Sequence, residues 1–486
     1  MRHLPGGIAA AIVTVAAVLG VRAQSGTAPT RDVTFSEDVA PIIFNNCTSC
    51  HRPGEAAPFA LQSYADVRPR GRLIAASTRA RQMPPWKADT GDFAFQGDRR
   101  LSDAQIDVIE RWVNGGMLQG DPAKMPPLPR FTDGWQLGEP DLVVRMPEAY
   151  AVPEKGRDIY RNFVLPLDLK EDVWVRGVDF RPSARSAVHH SLFFLDATGA
   201  ARQQDERDPL PGYSGGMGGG LTLGGGRLSL AAGRAGRGAA AGGRGSSAAG
   251  TTLGGWAPGA QPRLLPDDLA FFVPKGSDLI LSTHFHPSGK AESEASTVGL
   301  YFSKTPPTKA FTGIQLPPVF GLLSGIDIPA GDTTFSISDS FVLPVDVKAF
   351  GVSAHAHYLG KTMKMTATLP NGEKKSLLSI RDWDFGWQEQ YLFSNYVTLP
   401  KGTRLDVTVT YDNSAANRRN PSNPPQRVTW GEQSTDEMGS VTLQAIAAQQ
   451  GELPALQQAL ADHVREVALN TPLGKVLLGA RGAGGR

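Results

Sequence analysis

Apolar and polar positions follow two different rhythms along this chain. In two stretches between residues 36 and 114, and again between 452 and 469, apolar side chains recur at the spacing of an amphipathic helix. From about residue 130 to 450, short runs alternate with period two, as half-buried strands do. We expect a multidomain protein: a small all-α domain at 32–128, two all-β antiparallel sandwiches of jelly-roll type at 130–305 and 310–450, and a C-terminal helix with a disordered tail within 451–486.

Capping and turn residues set the limits of individual elements. Ser36 is a candidate cap for the first helix, and Ser102 with Gln105 forms a capping box for a helix that ends near Asn114. Asn371-Gly372 predicts a tight hairpin between two alternating runs. Runs that predict strands lie at 173–180, 279–286, 296–302, 346–369 and 405–411. The Gly/Ala/Arg-rich tract 215–254 predicts a disordered insertion in the first sandwich.

Length, charge and the N-terminal residues narrow the class of protein. A chain of 486 residues is too long for one core, and a net charge of +2 without a clustered basic face argues against nucleic-acid binding. Arg2 and His3 precede an apolar run at 8–20 and a small-x-small site at 21–23, so residues 1–23 predict a signal peptide and a periplasmic or extracellular protein. An uncleaved anchor is the alternative. No later apolar run is long enough for a membrane span.

The two cysteines of the chain lie in one motif, Cys47-Thr48-Ser49-Cys50-His51. C-x-x-C-H is the attachment signature of haem c, in which the thiols bond the haem and the histidine ligates iron. A redox disulfide and a zinc half-site are the alternatives. Met83 is the candidate sixth ligand of the iron, or else a packed loop residue. A helix entering this motif and a second helix closing the domain resemble a class I cytochrome c.

Six of the nine histidines form three tight pairs: His189-His190, His284/His286 and His355/His357. The last two pairs are spaced two apart, so each predicts two imidazoles on one face of a strand. Adjacent residues face opposite ways on a regular strand, so the first pair binds one metal only at a strand end or a distortion. Imidazole suits copper, zinc and iron alike. A thioether ligand such as that of Met438 favours copper.

The order of four motifs resembles the ascorbate-dependent type II copper monooxygenases, which include the peptide-amidating hydroxylase and dopamine β-hydroxylase. The motifs are His-His, a histidine in a Thr-His-Phe context, His-x-His-x-Leu-Gly, and Asp-Glu-Met at 436–438. The resemblance covers about residues 130–445 and implies two copper ions, with a cytochrome domain fused to the N-terminus of an exported bacterial member.

The resemblance assigns roles to particular residues. His189, His190 and His284 match the electron-transfer copper site, with His286 as the alternative third ligand. His355, His357 and Met438 match the oxygen-binding copper site, across an open, solvent-filled gap.

Two positions depart from the amidating enzyme. Ser353 and Thr442 stand where that enzyme anchors a substrate carboxylate, so a peptide ending in glycine is a poor substrate. The disulfides of the family are absent because the chain has only two cysteines.

These residues predict an oxidoreductase that hydroxylates a C–H bond of a small-molecule or peptide substrate with dioxygen. Electrons would come from an ascorbate-like reductant or a redox protein, with the haem as a relay to the first copper. An exported haem-copper electron carrier or copper-binding protein is the alternative. A zinc hydrolase is a third possibility, which lacks an evident carboxylate base.

Overall fold

The structure is a computed structural model that describes residues 31–471 except 54, 56, 131–133, 215–250, 258–259, 267–268 and 432. The predicted signal peptide, the C-terminal tail and most of the predicted insertion lie outside the described residues. The end of that insertion is corrected, because residues 251–254 form the start of a strand in which Leu253 is buried. Among the described residues, no helix combines the length and apolar character needed to cross a membrane.

The N-terminal part contains short helices joined by loops. A π-helical turn at Phe35–Val39 continues into α1 (Ala40–Asn46), followed by α2 (Tyr64–Val67), α3 (Gly71–Arg79) and α4 (Asp103–Asn114). Their apolar faces form one core around Phe35, Ile43, Ile109 and Trp112. The Ser102–Gln105 capping box is confirmed. Ser36 is not a cap but a buried residue of the first turn, where the Asp38 carboxylate accepts the Thr34 N–H instead.

The first β module places two antiparallel sheets around one core. Its elements are β1 (Leu142–Arg145), β2 (Tyr150–Val152), β3 (Ile159–Pro166), β4 (Val173–Arg181), β5 (Val188–Asp196), α5 (Ala200–Asp205), β6 (Tyr213–Ser214), β7 (Thr251–Trp256), β8 (Phe271–Val273), β9 (Asp278–Phe285), β10 (Glu292–Glu294) and β11 (Thr297–Phe302). A sheet of order β1-β11-β4-β8 packs on one of order β6-β3-β9-β5-β7. Phe180 and Phe193 meet across the core at 5.4 Å between ring centroids.

The second β module has the same plan. Its elements are β12 (Thr312–Leu316), β13 (Asp327–Ile328), β14 (Ser336–Val342), β15 (Val347–Ala356), β16 (Gly360–Thr368), β17 (Lys374–Ile380), β18 (Gln390–Leu399), β19 (Arg404–Tyr411), β20 (Val428–Thr429), β21 (Gly439–Ala447) and α6 (Leu453–Leu469). The sheets are β12-β21-β15-β18 and β14-β19-β16-β17. The predicted hairpin at 371–372 and the C-terminal helix are confirmed. The run 346–369 is two strands rather than one, because the chain turns between Ala356 and Gly360.

The eight principal strands of each module follow one order, which is the double Greek key of a jelly roll. The prediction of a multidomain chain dominated by antiparallel sheets is therefore confirmed.

One segment of the N-terminal part packs on the second β module. The sequence gives no indication of this contact. Trp86 and Phe95 belong to the core of that module. Phe95 stacks on Phe393 at 5.2 Å and forms an isolated β-bridge with it. The N–H groups of Asp89 and Gln96 donate to carbonyls of the module. We call residues 86–96 the strap, and it fixes the helical part to the second module.

Candidate functional site

The first candidate metal site lies where β5 begins and the neighbouring strand β9 ends. His190 pairs directly with His284, and a bulge between Val188 and His190 turns His189 toward the same side. The Nδ1 atom of His190 lies 3.3 Å from Nδ1 of His189 and 3.4 Å from Nδ1 of His284. The ligand atoms of the three residues all lie within 4.8 Å of one another. The sequence predicts that His189 and His190 can bind one metal only at a distorted strand position, and the bulge provides that distortion.

Burial keeps the first cluster neutral and ready to bind a metal. Desolvation lowers the pKa of His189 to about 3 and the pKa of His190 well below its usual value. Tyr160 stacks on His284 with ring centroids 4.5 Å apart, and Asp158 Oδ2 lies 3.0 Å from His284 Nε2. A carboxylate behind a histidine fixes the ring and raises its basicity as a ligand.

His286 lies outside this cluster. Its side chain is 61% exposed, and its Nδ1 lies 2.8 Å from Asp158 Oδ1. The structure thus brings His284, and not His286, together with the His-His pair.

The second candidate site lies at the end of the β15–β21 pair. His355 is opposite Ser440 and Ala356 opposite Gly439, so the register continued by one residue sets Met438 opposite His357. Residues two apart on a strand, and residues opposite each other on an antiparallel pair, share a face. His355, His357 and Met438 therefore lie on one face where the strands end. All three are largely buried.

Hydrogen bonds to one nitrogen of each ring leave the other nitrogen for a metal. His355 Nδ1 lies 2.7 Å from Gln388 Oε1, and His357 Nδ1 lies 3.1 Å from the carbonyl oxygen of Asp436. In each ring Nε2 remains as the candidate ligand atom. Burial lowers the pKa of His355 to about 4 and that of His357 to about 3, so both rings are neutral at physiological pH.

A buried glutamate holds the two peptide segments of the second site together. Glu437 Oε2 accepts the N–H groups of His357 and Met438 at 2.9 and 3.2 Å, and Oε1 accepts the N–H of Leu359 at 2.6 Å. The three N–H donors lower the pKa of Glu437, but burial raises it by more, so that the pKa is about 8. The Asp-Glu-Met motif therefore provides a clamp as well as a candidate ligand.

The two sites meet at one phenylalanine ring. Phe385 comes from the segment between β17 and β18, and its side chain is 3% exposed. Its centroid lies 5.3 Å from that of His190, 5.7 Å from that of His284 and 5.3 Å from that of His357. The predicted open, solvent-filled gap is therefore wrong for this structure, because the aromatic ring packs between the two groups of histidines.

The C-x-x-C-H motif follows α1 directly. His51 Nδ1 lies 3.0 Å from the carbonyl oxygen of Phe59, which leaves Nε2 for an iron ion. Burial raises the pKa of Cys47 to about 12 and also raises the pKa of Cys50. Met83 is 38% exposed on the loop between α3 and the strap.

A cavity of about 320 Å³ lies between this motif and the first β module. Cys50 and Arg52 line one side, and Phe193 and Trp256 line the other. The cavity therefore lies beside one thiol of the attachment motif, while Cys47 and His51 are not among the residues that line it. Across the same interface, Arg185 of the first module forms an ion pair with Glu55.

Four functional candidates were not found from sequence: Asp158, Phe385, Gln388 and Glu437. Only Glu437 stood in a motif that was singled out, where it served as context for Met438. The other three reach their partners through contacts between residues more than twenty-five positions apart in the sequence. No short motif could have identified them.

No protein-family model matches the chain, and no curated protein matches it. Similar solved structures include the VP2 subviral particle of infectious bursal disease virus, at 9% identity and a TM-score of 0.19, over 65% of this chain and 73% of that one. PNGF-II is similar at 10% identity and a TM-score of 0.21, over 63% of this chain and 60% of that one. An aminopeptidase from a marine sediment Thaumarchaeota archaeon is similar at 14% identity and a TM-score of 0.11, over 31% and 33%. Likeness at these TM-scores carries no information about activity.

Proposed function

We propose that this protein is an exported copper-dependent monooxygenase that hydroxylates a C–H bond with dioxygen. The observation that carries the proposal is the placement of two buried ligand sets, His189/His190/His284 and His355/His357/Met438, on either side of one aromatic ring. One set contains imidazoles only, and the other adds a thioether.

The donor atoms fit copper better than they fit zinc. Neutral imidazole binds either metal, but a thioether is a soft ligand that favours copper(I). Copper held by these residues would supply the one-electron redox chemistry that dioxygen activation requires. A zinc hydrolase needs a carboxylate base beside the metal. Asp158 lies behind His284, and Glu437 is occupied by backbone N–H groups.

The surrounding residues hold the ligands in place. Asp158 orients His284, Gln388 orients His355, and the Asp436 carbonyl orients His357. Glu437 links the N–H of His357 to that of Met438, so the two segments keep one geometry. Such fixed outer contacts keep a metal site preorganised.

A row of uncharged polar residues next to the second site indicates the class of substrate. Ser353 pairs with Thr442 on one side and with Gln390 on the other, and Thr442 pairs with Gln315. Ser353 lies two residues before His355 and so shares its face of the sheet. Hydroxyl and amide groups bind neutral polar substrates but form no charged clamp for a carboxylate. We propose a neutral substrate.

A haem at the C-x-x-C-H motif is the proposed electron supply, itself reduced by an external donor such as an ascorbate-like reductant or a redox protein. Phe193, which lines the cavity beside Cys50, lies three residues from His190 on β5. Three residues of strand span roughly 10 Å. The first copper site would therefore be the nearer acceptor along this strand.

Phe385 favours a second candidate function, an exported haem-copper electron carrier. Its ring occupies the space between the two sites where a substrate of a copper monooxygenase would lie. An electron carrier needs the two metals close together and needs no substrate space.

Copper analysis with oxygen consumption tests the proposal. The protein should bind two copper ions and, with a reductant and a neutral C–H substrate, consume dioxygen. Met438→Leu removes the thioether but keeps nearly the same volume, so it should abolish turnover while the fold persists. Met365→Leu, in the core of the same module, is the matched control and should remain active. Unchanged turnover in Met438→Leu would rule out the proposed site, and tight copper binding without oxygen consumption would favour the electron carrier.

A further inference from the structure

Asp158 stands at the junction of both candidate metal sites and both β modules. It immediately precedes β3, whose first residue, Ile159, pairs with Phe285, so the register sets Asp158 opposite His286 and diagonal to His284. Its side chain is 16% exposed. The carboxylate therefore lies in a partly buried position from which both oxygens reach neighbouring groups.

On the side of the first module, the carboxylate faces two histidines. Oδ2 lies 3.0 Å from Nε2 of His284, a close electrostatic contact without the alignment of a hydrogen bond, and Oδ1 lies at hydrogen-bond distance, 2.8 Å, from Nδ1 of His286. His284 directs its other nitrogen, Nδ1, toward the cluster with His189 and His190. A carboxylate on one ring nitrogen fixes the tautomer that offers the other nitrogen to a metal.

On the side of the second module, the same carboxylate receives two hydroxyl groups. Ser434 Oγ donates to Oδ2 at 3.0 Å, and Tyr358 Oη donates to Oδ2 at 3.4 Å. Tyr358 follows the candidate ligand His357 directly, and Ser434 lies four residues before Met438. Both peptide segments that carry the second site are therefore tied to the residue that orients the first site.

We propose that Asp158 is a positioning residue that orients His284 as a metal ligand and couples metal binding at the first site to metal binding at the second. A metal at the first site holds the His284 ring in one orientation, and the ring then holds the Asp158 carboxylate. The carboxylate in turn holds the hydroxyl groups of Tyr358 and Ser434. Coupling between two sites is reciprocal in binding free energy, so a metal at the second site strengthens the first to the same extent.

The inference rests on the proposed function in requiring copper at both His189/His190/His284 and His355/His357/Met438. The test uses the full chain and titrates copper(I) against a chromophoric chelator, with copper(II) electron paramagnetic resonance to distinguish the sites. Asp158→Asn should weaken the first site by about 10–100-fold and change its copper(II) spectrum, because the amide no longer fixes the ring as a carboxylate does. Asp158→Glu should recover part of the affinity.

Asp339→Asn is the matched control. Asp339 also faces a histidine, His463, at 2.9 Å and is 13% exposed, but it lies against α6 in the second module rather than at either metal site. This variant should bind copper as the unchanged protein does. Circular dichroism melting of each variant separates lost affinity from lost folding.

The coupling is tested by emptying the first site. His189→Ala should lower copper affinity at the second site by at least about fivefold. In the Tyr358→Phe/Ser434→Ala background, His189→Ala should have no further effect on the second site. Full first-site affinity in a folded Asp158→Asn protein would overturn the positioning role, and a second site indifferent to His189→Ala would overturn the coupling. If the unchanged protein bound no copper at the first site, the proposed function itself would fail.

Discussion

Replacing Glu437 with glutamine tests how the second site is held together. In its ionised form, above the pKa of about 8, the fully buried Glu437 carboxylate accepts three backbone N–H groups, two on Oε2 and one on Oε1, so the comparison is made at pH 9. Glutamine has one acceptor oxygen, which in its best orientation keeps the bonds to His357 and Met438. The N–H of Leu359 then loses its partner in a buried place, which costs about 1–3 kcal/mol.

The expected result has two parts, each with its own measurement. Denaturant unfolding followed by tryptophan fluorescence should show the second module destabilised by about 1–3 kcal/mol. Copper(I) competition should show second-site affinity reduced by about 10–100-fold, because the segments of His357 and Met438 are less firmly held.

Glu294→Gln is the control, because Glu294 is equally buried and accepts the Ala184 N–H at 2.6 Å in the first module. It should destabilise the first module and leave second-site copper binding unchanged. Equal copper affinity in Glu437→Gln and Glu294→Gln would refute the clamp.

Three further predictions concern other parts of the molecule. The hydrogen bond to Asp339 raises the pKa of His463 above 6.5, so the contact stabilises α6 fully below pH 6.5 and is lost as the pH rises through the folded-state pKa. The protection factors of the α6 amides, which are corrected for base-catalysed intrinsic exchange, should fall over that range and should stay constant in Asp339→Asn. Phe95→Ala should lower the unfolding free energy of the second module by about 3 kcal/mol although Phe95 belongs to the strap, and an unchanged second module in denaturant would contradict that packing. The ring centroids of His190 and His357 each lie 5.3 Å from that of Phe385, so the two histidine rings are at most 10.6 Å apart (5.3 + 5.3). Copper(II) spectra of the protein with both sites loaded should therefore show dipolar broadening. Spectra of two magnetically isolated ions would contradict this short distance.

Local signals in the sequence were sufficient for several elements and for the distortion at the His189-His190 pair. The requirement that His189 and His190 share a metal only at a distortion was met by the bulge in β5, because strand geometry alone imposes it. The capping box before α4 and the hairpin at 371–372 depend on residues within a few positions of one another. Such local signals act within one element, so they do not depend on how that element packs against the rest of the protein.

Long-range contacts explain what could not be predicted. Phe385 lies in a segment without strand or helix pattern, and its role arises only because the two modules pack with their histidines facing each other. Asp158 has no distinguishing local sequence, because its contacts with Tyr358 and Ser434 come from the second module. The strap places Phe95 in a core more than two hundred residues away along the chain. Pairwise packing of this kind leaves no periodic trace in the sequence.

Isotopically labelled dioxygen distinguishes hydroxylation of a C–H bond at the paired sites from electron transfer alone. The full-length protein would be loaded with copper and haem, reduced, and mixed with a panel of neutral substrates under labelled gas, and the products would be analysed by mass spectrometry. We expect a hydroxylated product that contains one labelled oxygen atom, and no such product from Met438→Leu. A hydroxyl oxygen derived from water, or reoxidation of the metals without any labelled product, would contradict this expectation.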